Sequence, residues 1–260
     1  MIMKNIYVIF IIVLAVFSAN AQNINLSGEK VLERDTILNR LFSDYKIYLL
    51  SFPESKTKDT FELNLNLGDD YSWKIKLFKN NMRSEGFESY LTTKEGKVPE
   101  SYQIKTFKGF LSGNPKNSVR LSFFNNTVEG FIKINENEMY YIVPTERISG
   151  AKYRDGTVII VKGEDFKEEL YPANDAIISE WEEPSVTKSI NYSNPVRISR
   201  IAVEGDYEFY QNHSITPISD IESIINMAED VYQSTFNIIF RIVYINVYTT
   251  SNDPFTEEFT

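Results

Sequence analysis

The chain has 260 residues with 42% hydrophobic and 14% aromatic side chains, a content that supports one sizeable folded core and excludes a disordered chain. Its formal net charge of −9 at pH 7 argues against nucleic-acid binding, because that function needs basic surface for the phosphates. It contains no cysteine, so disulfides and thiol chemistry play no part in its stability or function.

The first 21 residues predict an export signal. Lys4 provides a positive start, Ile6 to Phe17 form an apolar run, and Ala19 and Ala21 offer a small-x-small cleavage site. The run is well short of the roughly 20 residues that cross a bilayer as a helix. We therefore expect residues 1–21 to be a signal peptide and the mature protein to be secreted or held at the cell surface, with no stable membrane span.

Residues 22–172 carry the patterns of a β-rich domain. Phe61, Leu63, Leu65 and Leu67 alternate with polar residues, as in a half-buried strand, and the turn at residues 68–70 leads to a second alternating segment. Further apolar segments predict more strands, and the pattern as a whole predicts one antiparallel β domain. These segments are Trp73 to Leu77, Val119 to Phe123, Val128 to Ile134, Glu138 to Val143 and Thr157 to Val161.

Residues 173–195 predict an exposed linker. Pro184 and Pro195 interrupt this stretch, Glu180, Glu182 and Glu183 cluster within it, and apolar periodicity is weak. The pattern changes after it, so a second unit is expected over residues 196–260.

That second unit reads as strand, helix, strand, which predicts the opening of an α/β domain. The helix is predicted to begin near Thr216 and Pro217, with Ser219 and Glu222 at the spacing of a capping box, and to stop at Asn237. Its apolar residues fall on one face, which we expect to be the buried one. They are Ile221, Ile224, Ile225, Ala228, Val231 and Tyr232, between strands at Val196 to Val203 and Ile238 to Val247.

Several motifs together resemble reprolysin-like (adamalysin, metzincin) zinc metallopeptidases. Between Tyr102 and Pro144 the chain has Phe-Lys-Gly, Ser-Val-Arg-Leu-Ser, Gly-Phe-Ile and Tyr-Tyr-Ile-Val-Pro, in an order similar to that of the family's prosegment. Residues 197–211, the predicted helix and the strand after it resemble the first strand, helix and second strand of the family's catalytic domain, with Asn226 and Tyr232 at motif positions. The resemblance implies a prosegment followed by the start of an α/β catalytic domain.

The chain departs from the family at the active site. It lacks the family's His-Glu-x-x-His-x-x-Gly-x-x-His motif, and its one histidine, His213, is read as a solvated loop residue that cannot build a three-ligand zinc site. No catalytic, cofactor-binding or metal residue is assigned, and zinc is implied only for the full-length family member. Arg200 stands where some members have a calcium-binding Glu, so calcium is not carried over.

Other acidic and polar motifs give weaker signals. Glu204 and Asp206 could do acid/base work or hold a cation, but a solvated strand end accounts for them better. Turn or surface charge similarly accounts for Asp69 with Asp70 and for Glu168 with Glu169, and residues 125–127 match a glycosylation sequon.

Two functions follow as expectations. In the first, the β domain is the latency and folding prosegment of a secreted zinc metalloendopeptidase that acts on proteins or peptides, and it binds its own catalytic domain. In the second, the protein is a non-enzymatic, exported β-rich binding or surface module.

Overall fold

The computed structural model describes residues 22–32, 35–51, 58–124, 127–148, 153–167, 195–213 and 216–255. The predicted signal peptide, nearly all of the predicted linker, Asn125 with Asn126, and Glu168 with Glu169 lie outside these ranges. Residues 22–167 are called the amino-terminal part below, and residues 195–255 the carboxy-terminal part.

Nine strands of the amino-terminal part form a closed barrel. The strands are β1 Gln22–Val31, β2 Lys46–Ser51, β3 Thr60–Leu67, β4 Tyr71–Lys79, β7 Thr106–Leu111, β8 Asn114–Phe124, β9 Thr127–Asn135, β10 Glu138–Pro144 and β11 Thr157–Lys162. Around the barrel their order is β1, β2, β11, β10, β9, β8, β7, β4, β3, and the β1–β3 pair that closes it is parallel. A short helix, α1 (Thr36–Leu41), connects β1 to β2.

Side chains from every wall fill the barrel. The alternation predicted for β3 is confirmed, since Phe61, Leu63, Leu65 and Leu67 are fully buried while the residues between them are partly or fully exposed. Phe61 meets Phe107 edge-to-face at 5.1 Å between ring centroids, a favoured aromatic geometry. The barrel is therefore a packed core of its own.

A second sheet joins the two parts of the chain. Its order is β12, β13, β5, β6, where β5 (Arg83–Thr93) and β6 (Gly96–Pro99) leave the barrel, and β12 (Arg197–Gly205) and β13 (Ile238–Tyr248) come from the carboxy-terminal part. β13 runs parallel to both β12 and β5. Two helices, α2 (Tyr207–His213) and α3 (Pro217–Phe236), separate β12 from β13, and α3 lies between the sheet and the barrel.

The predicted fold class, an antiparallel β-rich prosegment domain followed by the opening of an α/β catalytic domain, is wrong. Strands make up 57% and helices 20% of the described residues, and the principal unit is a closed nine-stranded barrel. The carboxy-terminal strands do not begin an α/β sheet of their own, because β13 completes a sheet with β5. Local patterns missed this pairing, since its partners are about 150 residues apart in the chain.

Within the described residues, no helix is both long and apolar enough to span a membrane.

Candidate functional site

Helix α3 turns a polar face toward the barrel. The side chains on this face are carboxylates, amides and a hydroxyl at helical spacing, and all are buried or half-buried: Asp220, Glu222, Ser223, Asn226, Glu229, Asp230 and Gln233. Buried charges are costly unless they are paired and hydrogen-bonded. Their partners therefore define the site.

Arg120 on β8 is the central partner and is only 3% exposed. Its Nη1 lies 3.0 Å from Glu229 Oε2, its Nε 3.3 Å from Asp230 Oδ1, and its Nη2 donates to Gln233 Oε1 at 2.9 Å. One guanidinium thus binds side chains along one turn of α3, which the planar, five-donor geometry of arginine allows.

Glu229 is fully buried and held by further donors. Asn80 Nδ2 donates to its Oε2 and the Phe240 amide donates to its Oε1, both at 2.9 Å. Burial alone raises the pKa of Glu229, but these hydrogen bonds and the charge of Arg120 outweigh it, so the pKa lies below its ordinary value. Glu229 is a carboxylate at neutral pH, and it ties the helix, the barrel and β13 together.

Arg83, at the start of β5, forms the second pairing. Its Nε and Nη2 donate to the two carboxylate oxygens of Glu222 at 2.6 and 3.0 Å, and its Nη1 donates to the Tyr102 carbonyl at 2.8 Å. This is the bidentate geometry that fixes orientation as well as charge. Glu222 was predicted to close a capping box, and that prediction is wrong because its carboxylate is bound to Arg83 instead.

Arg147, in the 3-10 turn Thr145–Arg147, forms the third pairing at the amino-terminal end of α3. It holds both oxygens of Asp220, with Nη1 to Oδ2 at 2.6 Å, and its Nη1 lies 3.2 Å from His213 Nδ1. Glu129 of β9 approaches the same guanidinium at 3.9 Å and accepts from Ser223 Oγ at 3.4 Å. Burial raises the pKa of Glu129, against the opposing charge of Arg147.

The backbone adds a separate connection through β5. The Ile242 amide donates to the Met82 carbonyl at 2.7 Å, and the Thr249 amide donates to the Thr92 carbonyl at 2.9 Å. Thr92 Oγ1 also donates to Asn246 Oδ1 at 2.7 Å. The carboxy-terminal part is therefore held in register by a strand and clamped by three arginines.

The acidic residues that the sequence patterns singled out lie apart from one another in the structure. Asp206 accepts from the Phe209 amide at 2.7 Å at the start of α2, and Glu204 is exposed near the end of β12. Asp70 is more than turn charge, because it accepts from Lys30, Lys46 and the Tyr48 hydroxyl at 2.7–2.8 Å, which together lower its pKa.

His213 does not lie in a solvated loop. It ends α2, with 22% of its side chain exposed, and its ring stacks on Phe209 at 4.2 Å while Nδ1 lies 3.1 Å from Asp220 Oδ2. Nowhere in the described ranges do three or more His, Asp or Glu side chains form a cluster that could hold a metal ion.

Apolar spacing alone gives no sign of the arginine clamp, which Arg83, Arg120 and Arg147 form around α3. Ser219, Glu222, Asn226, Glu229 and Gln233 recur at intervals of three and four, which is a polar helical stripe as regular as the apolar one. A polar stripe normally indicates solvent, whereas here it faces a barrel wall that carries Arg120.

No protein-family model matches this sequence, and no curated protein matches it. The resemblance to reprolysin-like peptidases thus stays a prediction from its motifs.

Proposed function

We propose that the amino-terminal part is a holding module that captures and orients the carboxy-terminal part of an exported precursor. The observation that carries this proposal is the division of charge across the contact. All three arginines belong to the amino-terminal part, and the acids to which they are hydrogen-bonded, Asp220, Glu222, Glu229 and Asp230, belong to α3.

The chemistry of the contact suits a partner that is recognised and later released. Buried ion pairs add little net stability compared with apolar packing, but a wrong partner would leave their charges unpaired, so they select strongly for the right one. Polar contacts between domains are also typical of interfaces that open. An exported precursor with a cleavable linker at residues 173–195 would use these properties to fold, hold and then release the second part.

The motif resemblance gives the proposal a reaction class. In a reprolysin-like precursor the holding module would be the prosegment, and the held part would belong to a zinc metalloendopeptidase that acts on proteins or peptides. No cysteine is present to bind zinc during latency, so inhibition would rest on the docked surface itself.

A protease site inserted in residues 173–195 tests the holding role, because it allows the chain to be cut after folding. We expect the two pieces to co-elute in gel filtration after cleavage at low salt. Arg120→Gln should weaken their association by about 3–5 kcal/mol, since it leaves Glu229 buried without its ion pair. Lys133→Gln, which breaks an exposed pair with Glu136, is the matched control and should cost less than about 1 kcal/mol. Pieces that separate at once, or an Arg120→Gln complex as tight as the control, would contradict the proposal.

The peptidase class is tested separately, on the protein purified after export from the cell that produces it. We expect stoichiometric zinc by metal analysis, and peptidase activity that rises when the amino-terminal part is removed. A product with intact holding but no zinc would refute the peptidase class alone.

A second candidate is the non-enzymatic exported binding module. It is favoured by two half-buried rings, Tyr71 stacked on Trp73 at 4.9 Å, which pack against the buried Tyr140 of the barrel core. Such a cluster offers flat faces to a sugar or a peptide. The zinc measurement distinguishes the two candidates.

A further inference from the structure

Exposed apolar side chains lie on both faces of the sheet at one corner of the carboxy-terminal part. Of the nine large hydrophobic residues that are exposed in the described ranges, six lie on α3 or on and immediately before β12. Clustered exposure of this kind marks a surface that another polypeptide covers. The six are Val196, Ile198, Ile224, Val231, Tyr232 and Phe236.

β12 is an open edge at the same corner. Among the described residues it pairs only with β13, and no described strand lies against its other side. The Arg197 amide donates to the Asn237 carbonyl on the β13 side. Because successive backbone groups of a strand alternate in direction, the amides and carbonyls of Ile198, Arg200, Ala202 and Glu204 point outward.

An apolar trough runs beside this edge. Val203 of β12, Phe209 of α2, and Ile221, Ile224 and Ile225 of α3 line it. α3 contacts β13 and the barrel, and among the described elements only the short α2 covers the sheet face over β12. The corner therefore offers an apolar surface next to a strand edge.

The charges on this edge select a second copy of the same strand. Arg200 and Glu204 are exposed on one face of β12, and Glu204 also interacts electrostatically with Lys97. Antiparallel pairing of two copies centred on Ala202 aligns the outward backbone groups and sets Arg200 of each copy opposite Glu204 of the other. Registers centred on Arg200 or Glu204 would instead oppose like charges.

We propose that two copies of this chain pair through β12 across a two-fold axis to form a continuous eight-stranded sheet. A two-fold axis perpendicular to the sheet leaves both α3 helices on one face. The two β13 strands are then three strand spacings apart, about 14 Å, so the apolar stripes of the helices over them face each other across the trough. Pairing thus covers the open edge and the exposed apolar side chains of α3 together, as a two-fold interface requires, while Ile198 lies on the other face of the sheet with Arg200 and Glu204.

The test is the oligomeric state of the full chain and of two charge-reversal variants. Light scattering and sedimentation at micromolar concentration should give twice the monomer mass for the unchanged chain. Arg200→Glu and Glu204→Arg should each weaken the dimer at least about tenfold, because each places like charges opposite at two positions. Lys116→Glu, at an exposed barrel position, is the matched control and should remain dimeric.

Mixing the two charge-reversal variants is the decisive experiment. The Arg200→Glu chain carries two acids and the Glu204→Arg chain two arginines, so an equimolar mixture should restore a mixed dimer with opposite charges at both positions. The double variant R200E/E204R should likewise dimerise with itself. The proposal would be overturned if the unchanged chain is monomeric. It would also be overturned if both charge-reversal variants dimerise as tightly as the unchanged chain, or if their mixture stays monomeric, because self-association would then involve another surface.

Discussion

Gly130 in β9 shows how a single residue permits the barrel to close. It has a φ of +143°, and a Cβ placed on it would lie 1.9 Å from the Arg120 carbonyl oxygen of the neighbouring strand. Any side chain would thus push β9 away from β8, at the point where β8 carries the central arginine of the clamp.

Gly130→Ala should lower the free energy of unfolding by about 3 kcal/mol or more, because it combines a backbone clash with an unfavourable φ. Urea unfolding followed by circular dichroism measures this. Gly163→Ala is the matched control, since the nearest atom to its added Cβ would lie at 3.6 Å, an ordinary contact. Equal losses in the two variants would refute the close approach at Gly130.

Helix α3 shows how far sequence can predict an element. Its existence, its Pro217 start and its stop at Asn237 are confirmed, and Asn237 adopts the left-handed conformation with a φ of 54°. These features are local and leave a local signal. The predicted buried face is confirmed for Ile221 and, in part, for Ile225. It is wrong for Ile224, Val231 and Tyr232, which are exposed, while Glu229 is fully buried.

The start of α3 yields a prediction in which the sequence and the structure disagree. A capping box would give the Ser219 hydroxyl a backbone partner, yet it is buried and lacks a hydrogen-bond partner among the described residues. Ser219→Ala should therefore leave stability unchanged or raise it by up to about 1 kcal/mol. At α1, Asp35 accepts from the Ile37 and Leu38 amides at 2.7 and 3.1 Å, so Asp35→Ala should cost about 1 kcal/mol in the same urea unfolding assay. A comparable loss of stability in Ser219→Ala would instead indicate that Ser219 does cap the helix.

At the scale of the whole molecule, the sequence revealed strand-rich composition but not how the strands assemble. Alternation marks a half-buried strand, and it cannot say that β1 closes a barrel on β3 or that β5 leaves the barrel for β13. The arginine clamp depends on that assembly, because Arg83, Arg120 and Arg147 come from three separate segments and meet only on α3.

The stability of the protein should also depend on pH, through two opposing contributions from acids at the clamp. Glu229 has a lowered pKa, so its contribution to stability is present at neutral pH and is lost as the pH falls through that value. Glu129 has a raised pKa, so its contribution is complete below its ordinary pKa of about 4.5 and is lost as the pH rises through the raised value. Glu129→Gln should therefore change the free energy of unfolding more favourably at pH 7 and 8 than at pH 4. Urea unfolding at each pH measures this. Glu136→Gln, at an exposed position, should show no such trend. A Glu129→Gln effect that is the same at pH 4 and pH 8 would mean that Arg147, rather than burial, governs the charge of Glu129.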